Sequence, residues 1–369
     1  MMDKLYVATR KGLFTLSAKQ GKWSVEDTAF LGDPVLIVHA ARSTGTCYAA
    51  LGHGHFGVKL HRSTDEGKEW SECCAPAYPT PPEGTDDRCP NRMIPIPWRT
   101  EQIWAMADGQ ANGGNQLWCG TVPGGLFRSD DRGDSWELVR SLWDHPKRKE
   151  WFGGGLDYPG IHSICVDPRN HDRVFVGVSC GGVWLTENGG DDWETRTEGM
   201  WAAYMPESRK HEDAIQDPHC VSMCQADPDT LWVQHHNGAF HTSDGGVSWS
   251  DLDKLSPSTF GFTVVAHPQD PKTAWFVPAI KDELRIPVDG QLVVARTSDG
   301  GQSFDVLRNG LPQEHAYDIC FRHAMDISQD GKTLAFGTTT GSLFISEDGG
   351  DRWQLANAHL PPVYCVRFG

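Results

Sequence analysis

Residues Ser346–Trp353 read SEDGGDRW: a hydroxyl residue, an acid two positions on, a glycine four on and a tryptophan seven on. The chain repeats this pattern. STDEGKEW begins at Ser63, SDDRGDSW at Ser129, TENGGDDW at Thr186, TSDGGVSW at Thr242 and TSDGGQSF at Thr297, giving six copies spaced 66, 57, 56, 55 and 49 residues apart. A unit of this period is one supersecondary element that cannot bury its own apolar face, so neighbouring copies must stack.

Around the copy at Thr186, IHSICVDP, RVFVGVS, VWLTENGG and DDWETR follow one another with short turns between them. Four short alternating strands per unit describe a propeller blade. LYVATRKGLFTLS, from Leu5, fits the second and third strands of a further blade that lacks a first strand, and the C-terminal PVYCVRFG supplies it. The expectation is an all-β, seven-bladed β-propeller, one domain over residues 1–369, whose last strand pairs into the N-terminal blade and removes the open sheet edge.

The repeated octapeptide itself reads as a turn between the third and fourth strands. The acid accepts backbone N–H groups, the glycine takes positive φ and the aromatic closes the sheet. Asn188 replaces the acid in the Thr186 copy, a change that an Asx-turn tolerates and an acid catalyst does not.

These copies match the S/T-x-D-x-G-x-x-W/F boxes of the bacterial neuraminidase-repeat propellers, and the chain resembles that sialidase-like family over essentially its whole length. The resemblance implies the propeller fold and, for sialidase members, an R-I-P arginine before the first box, two further carboxylate-gripping arginines, a Tyr/Glu nucleophile pair and an Asp acid. Here RIP occurs at Arg285, Ile286 and Pro287, between the fourth and fifth copies.

Charge and composition narrow the partners. With 33 Lys and Arg against 49 Asp and Glu, the formal charge of −16 argues against a phosphate-neutralising surface, hence against nucleic acid. The start MMDKLYVATRKGLF lacks the apolar run of a secretory leader, and no stretch reaches the roughly 18 apolar residues of a membrane span; the expectation is a soluble cytoplasmic protein. Of eleven cysteines, Cys119, Cys165, Cys220, Cys224, Cys320 and Cys365 lie in apolar runs and read as small buried hydrophobes. Cys73, Cys74 and Cys89 come nearest to a zinc spacing.

Unusual residues gather on the face opposite the repeated turns. Second-to-third-strand turns carry Arg10, then His53 and His55 in GHGHFG, His235 and His236 in QHHNG, and Arg285 in AIKDELRIPVDG. Links between blades lengthen at 71–100, 138–161 and 194–218; they bring Trp151 and Tyr158 and end at His162 and at Asp217 with His219. A later link, LPQEHAYD, adds Glu314, His315 and Tyr317, while His39 and His323 fall in channel-lining first strands. Histidines converging from several blades suit a divalent transition metal such as Zn, Fe or Mn.

The expected site is therefore metal ligands His53, His55, His162, His219 and His236, catalytic Asp217, Glu314, His315 and Tyr317, and substrate contacts from Arg10, Arg285, Trp151 and Tyr158. The matching function is a metal-assisted hydrolase or lyase acting on a small polar, anionic or sugar-like molecule. The alternatives are a metal-free sialidase-like glycosidase using Tyr317 with Glu314, and a non-catalytic scaffold that grips a protein.

Overall fold

A computed structural model describes residues 4–19, 21–41, 44–109 and 111–369. It contains seven four-stranded antiparallel sheets. Blade 1 orders Val363–Phe368, Lys4–Thr9, Gly12–Lys19 and Lys22–Ala29 from the axis outward. Blades 2 to 7 begin at the axis with Val35–Ala41, Gln102–Asp108, Gly160–Val166, Pro218–Met223, Phe260–Ala266 and Met325–Ile327. Each of these inner strands packs against the next around the ring.

The ring closes as the repeat pattern predicts. Val363–Phe368 pairs with Lys4–Thr9, placing Phe368 opposite Leu5 and Val366 opposite Val7. Both edges that a linear array would expose are thereby hydrogen-bonded. No helix among the described residues is long and apolar enough to cross a membrane.

The six octapeptides adopt one turn. In the copy from Ser63, the Ser63 hydroxyl accepts the Gly67 N–H at 2.8 Å and Asp65 Oδ1 accepts the Glu69 N–H at 3.0 Å. Gly67, Gly133, Gly190, Gly246, Gly301 and Gly350 all have φ between 78 and 99°, the region only glycine enters without strain. Asn188 makes the same bond to the Asp192 N–H, at 3.2 Å. Between the blades, Trp118, Trp184, Trp232 and Trp275 are almost completely buried. At about 200 Å² and ~25 cal/mol/Å², each contributes about 5 kcal/mol of transfer free energy, against about 1 kcal/mol for a turn hydrogen bond, so packing holds the wheel and the turns set its register.

The link between blades 2 and 3 and the link between blades 3 and 4 interlock on the face opposite these turns. Arg148 and Asp87 form a buried ion pair, with the guanidinium 4.2 Å from the Trp143 ring centre. Asn91 donates to the Gly153 carbonyl at 3.0 Å, and Lys147 reaches Asp213, in the next link, at 2.7 Å. These long loops are ordered because they carry a small core of their own.

A second repeated feature shapes the inner rim. In blades 2 to 5 the inner strand slips register against its neighbour at one residue: Leu36, Trp104, His162 and His219. Blade 6 slips across Phe262 and Thr263. A β-bulge re-aims the side chain of the extra residue, and in blade 5 it sets His219 beside Asp217.

Candidate functional site

Asp217 immediately precedes the inner strand of blade 5, His219 is the bulged residue within it, and His236 sits in the hairpin turn that follows Leu231–His235. The three meet. Asp217 Oδ2 lies 3.6 Å from His219 Nε2 and 3.5 Å from His236 Nδ1, and the three ligand atoms fall within 4.8 Å of one another. Two donors bound tetrahedrally to one ion at ~2.1 Å stand about 3.4 Å apart, so this spacing fits a shared cation and is too long for direct hydrogen bonds.

Neighbouring groups fix the orientation of each. His219 Nδ1 faces the Gly261 carbonyl at 2.7 Å; a carbonyl only accepts, so Nδ1 carries the hydrogen and Nε2 is left to face Asp217. The His219 ring stacks on Phe262, centroids 4.7 Å apart and planes 11° from parallel. Asp217 Oδ1 accepts the Cys180 N–H at 3.0 Å and the Ser179 hydroxyl at 3.3 Å. A buried carboxylate facing an imidazole lone pair is stable only with a proton or a cation between them.

Burial alone would raise the Asp217 carboxyl, but the adjacent His219 and His236 imidazoles outweigh it and hold the group well below the usual carboxylate range. For His236, burial alone would depress the imidazole; Asp217 prevails and raises it. His235, next along the chain, points into the sheet, accepts the Asp217 N–H at 2.9 Å and is pushed by burial down to about 3. Successive residues of an extended strand point to opposite faces, so only His236 of this pair faces the site.

The five expected imidazole ligands do not meet. His162 is buried, donates Nε2–H to the Pro218 carbonyl at 2.7 Å and has Nδ1 2.9 Å from the Ser163 hydroxyl, so both its nitrogens are consumed. His53 lies 3.6 Å from Asp33 in the link to blade 2, and His55 is exposed beside Phe56. Glu314, His315 and Tyr317 are exposed on the link between blades 6 and 7; His315 Nδ1 and the Tyr317 hydroxyl are 3.4 Å apart.

The expected substrate contacts divide in the same way. Trp151 is buried edge-on to Trp184, centroids 5.4 Å apart, and anchors its loop to blade 4. Tyr158 is half-buried against the core shared by blades 2 and 3. Arg10 is exposed in the hairpin of blade 1, three sheets round the ring from blade 5. Arg285 pairs with Asp282 and lies 5.2 Å from the Phe262 ring centre, next to the cluster's stacked wall. Cys73, Cys74 and Cys89 hold no common site among the described residues; the Cys89 thiol accepts the Gly153 N–H at 3.3 Å.

Two residues at the site escaped the sequence reading, Arg322 and Trp104. Arg322 starts blade 7, and its Nε donates to the His219 carbonyl at 2.8 Å across the mouth of the axial channel. Its guanidinium lies 4.5 Å from the Trp104 ring centre and 5.8 Å from Phe262. Burial depresses it to about 10, the Asp217 charge acting in the opposite direction. The neighbouring His323 donates to the His162 carbonyl at 2.6 Å. Aligning the inner strands would have placed FRH at 321–323 beside the other rim residues, with an arginine where the other blades have Ile161, Pro218 and Gly261.

Fold and cluster together define a seven-bladed β-propeller with a buried carboxylate flanked by two imidazoles on its loop-rich face. No family model matches the chain. It is 33% identical over 242 residues to an oligoxyloglucan-reducing end-specific xyloglucanase of Emericella nidulans, a match covering 65% of this chain and 25% of that enzyme. The fold is also that of the GH74 xyloglucanase from Xanthomonas campestris, at TM-score 0.59 and 16% identity, covering 97% of this chain and 53% of that one. The periplasmic gluconolactonase of Pseudomonas aeruginosa superposes end to end, at TM-score 0.59 and 12% identity over 100% of this chain and 99% of that one. The chain thus spans a quarter of the curated xyloglucanase and about half of the xyloglucanase structure.

Proposed function

We propose that the chain is an enzyme that uses Asp217, His219 and His236 to hold a divalent transition metal and hydrolyses, or eliminates from, a small sugar-like molecule. What carries the reading is the convergence of Asp217 Oδ2, His219 Nε2 and His236 Nδ1 within 4.8 Å of one another, a spacing that a shared cation fits. A metal bound there would supply Lewis acidity to a polarised oxygen and acidify water. The chain's own groups do the rest. Asp217 is held ionised by its neighbours, and His236, the most accessible of the three, marks the side from which the cluster is reached. Phe260, Phe262 and Tyr204 wall the cluster and exclude water, while Arg285 stands at its edge.

The test is elemental analysis of tag-free protein, paired with assays on chromogenic glycosides and aldonolactones. The reading expects near-stoichiometric Zn, Fe or Mn, lost in Asp217→Asn/His219→Ala together with activity. Metal-free protein whose activity ignores chelators overturns it.

That outcome would favour a second reading, a metal-independent glycoside hydrolase, which the likeness to xyloglucanases supports. It needs a carboxylic acid that stays protonated to donate to the leaving group. The Asp217 carboxyl is instead held down by its imidazole neighbours and does not suit that role.

A further inference from the structure

Arg322 stands at the rim of the axial channel without a direct ion pair among the described residues. Its Nε is used by the His219 carbonyl, Trp104 and Phe262 cover it, and no carboxylate among the described residues forms an ion pair with it. By contrast Arg148 and Arg285, also on this face, each hold an aspartate. Enclosing a guanidinium between aromatic faces costs desolvation that one carbonyl does not offset, and its remaining N–H pairs form a planar fork suited to a carboxylate. Arg322 also lines the axial cavity of about 360 Å³, shared with His162, Ser163 and Cys220, so the fork has room for a ligand of six or so carbons.

We propose that Arg322 anchors a carboxylate of the ligand, so that this site takes a small sugar acid or hydroxy acid in preference to a neutral saccharide. The inference rests on the site assigned above but not on the metal. The carboxylate lies at the axis against Arg322, with Trp104 and Phe262 packed on the guanidinium, and the hydroxyl-bearing end occupies the axial cavity beside His162 and Ser163. A neutral sugar would leave the guanidinium enclosed and unpaired, which is the source of the discrimination.

Calorimetric titration of the tag-free protein with D-gluconate and D-glucuronate, and with glucose as the neutral control, tests this. At least one acid should bind at millimolar concentration or tighter, and glucose at least about tenfold more weakly. Arg322→Gln should weaken the acid about 10- to 100-fold, the loss expected for a charge-assisted bond, and Arg322→Lys should recover part of it. Circular dichroism and the metal content of both variants check that the fold and cluster persist. Binding of neither acid, equal binding of glucose, or unchanged affinity in Arg322→Gln with a native spectrum overturns the proposal. Protein without metal that still binds an acid through Arg322 would sink the proposed reaction and leave this anchor standing.

Discussion

The Asp217 carboxylate accepts the main-chain N–H of Cys180 at 3.0 Å, which ties the entry to blade 5 to the hairpin turn of blade 4. Cys180 adopts a positive φ of 48° to present that N–H, and its thiol is buried beneath Gly154 of the overlying loop. A Cβ on Gly154 would meet Cys180 Sγ at 2.7 Å and Asp217 Oδ2 at 3.7 Å. Gly154→Ala should therefore cost about 1–3 kcal/mol in thermal unfolding and weaken zinc uptake in a competition titration. Gly155→Ala, whose Cβ meets nothing within 4 Å, is the matched control and should change neither.

The repeated turn makes a prediction that separates structure from chemistry. Asp244 Oδ1 accepts the Ser248 N–H at 3.0 Å, and Asn188 Oδ1 performs the same task in the preceding copy. Asp244→Asn should leave stability and activity nearly unchanged. Asp244→Ala should cost about 1 kcal/mol by urea unfolding while sparing activity.

Part of the acid sensitivity should arise away from the site. Burial alone would raise Asp167, but hydrogen bonds from Arg169 and Arg173 outweigh it and bring the carboxyl down to about 2. A carboxyl depressed on folding contributes stability that is complete above its unfolded value near 4 and is lost as pH falls through about 2. The contribution is about 2 kcal/mol at neutral pH, and Asp167→Asn should flatten the acid limb of a stability–pH profile between those limits.

The buried pair of Arg148 and Asp87 pins the two loops that cover blades 3 and 4. Arg148→Ala strands the Asp87 carboxylate and should cost about 3–5 kcal/mol, read as a lower thermal midpoint and faster proteolysis within residues 74–101. Replacing both partners with apolar residues, Arg148→Met with Asp87→Leu, should cost much less.

The octapeptides made the wheel legible because each contains everything its turn needs within eight residues, from the Ser63 hydroxyl to the Trp70 plug. Ring closure was legible too, since a first blade lacking an inner strand and a last strand lacking a blade complete each other. The face that carries Asp217, His219 and His236 was legible, but not that these three meet while His53 and His55, on the same face, stand apart. The role of His162 was not legible, because the bulge that re-aims it leaves no mark in residue type, and Arg322 shows only when the inner strands are aligned.

From the amino-acid order alone come the seven blades, the closure and the face that carries the histidines, all consequences of local turn chemistry and of apolar strands that must stack. Which imidazole keeps a free nitrogen was decided only by tertiary structure. His162 spends its Nε2–H on a carbonyl from the next blade, whereas His219 is held through Nδ1 and keeps Nε2 open. Both bonds end on main-chain oxygens more than forty positions away in the chain or at about that separation, so they exist only once the blades have packed.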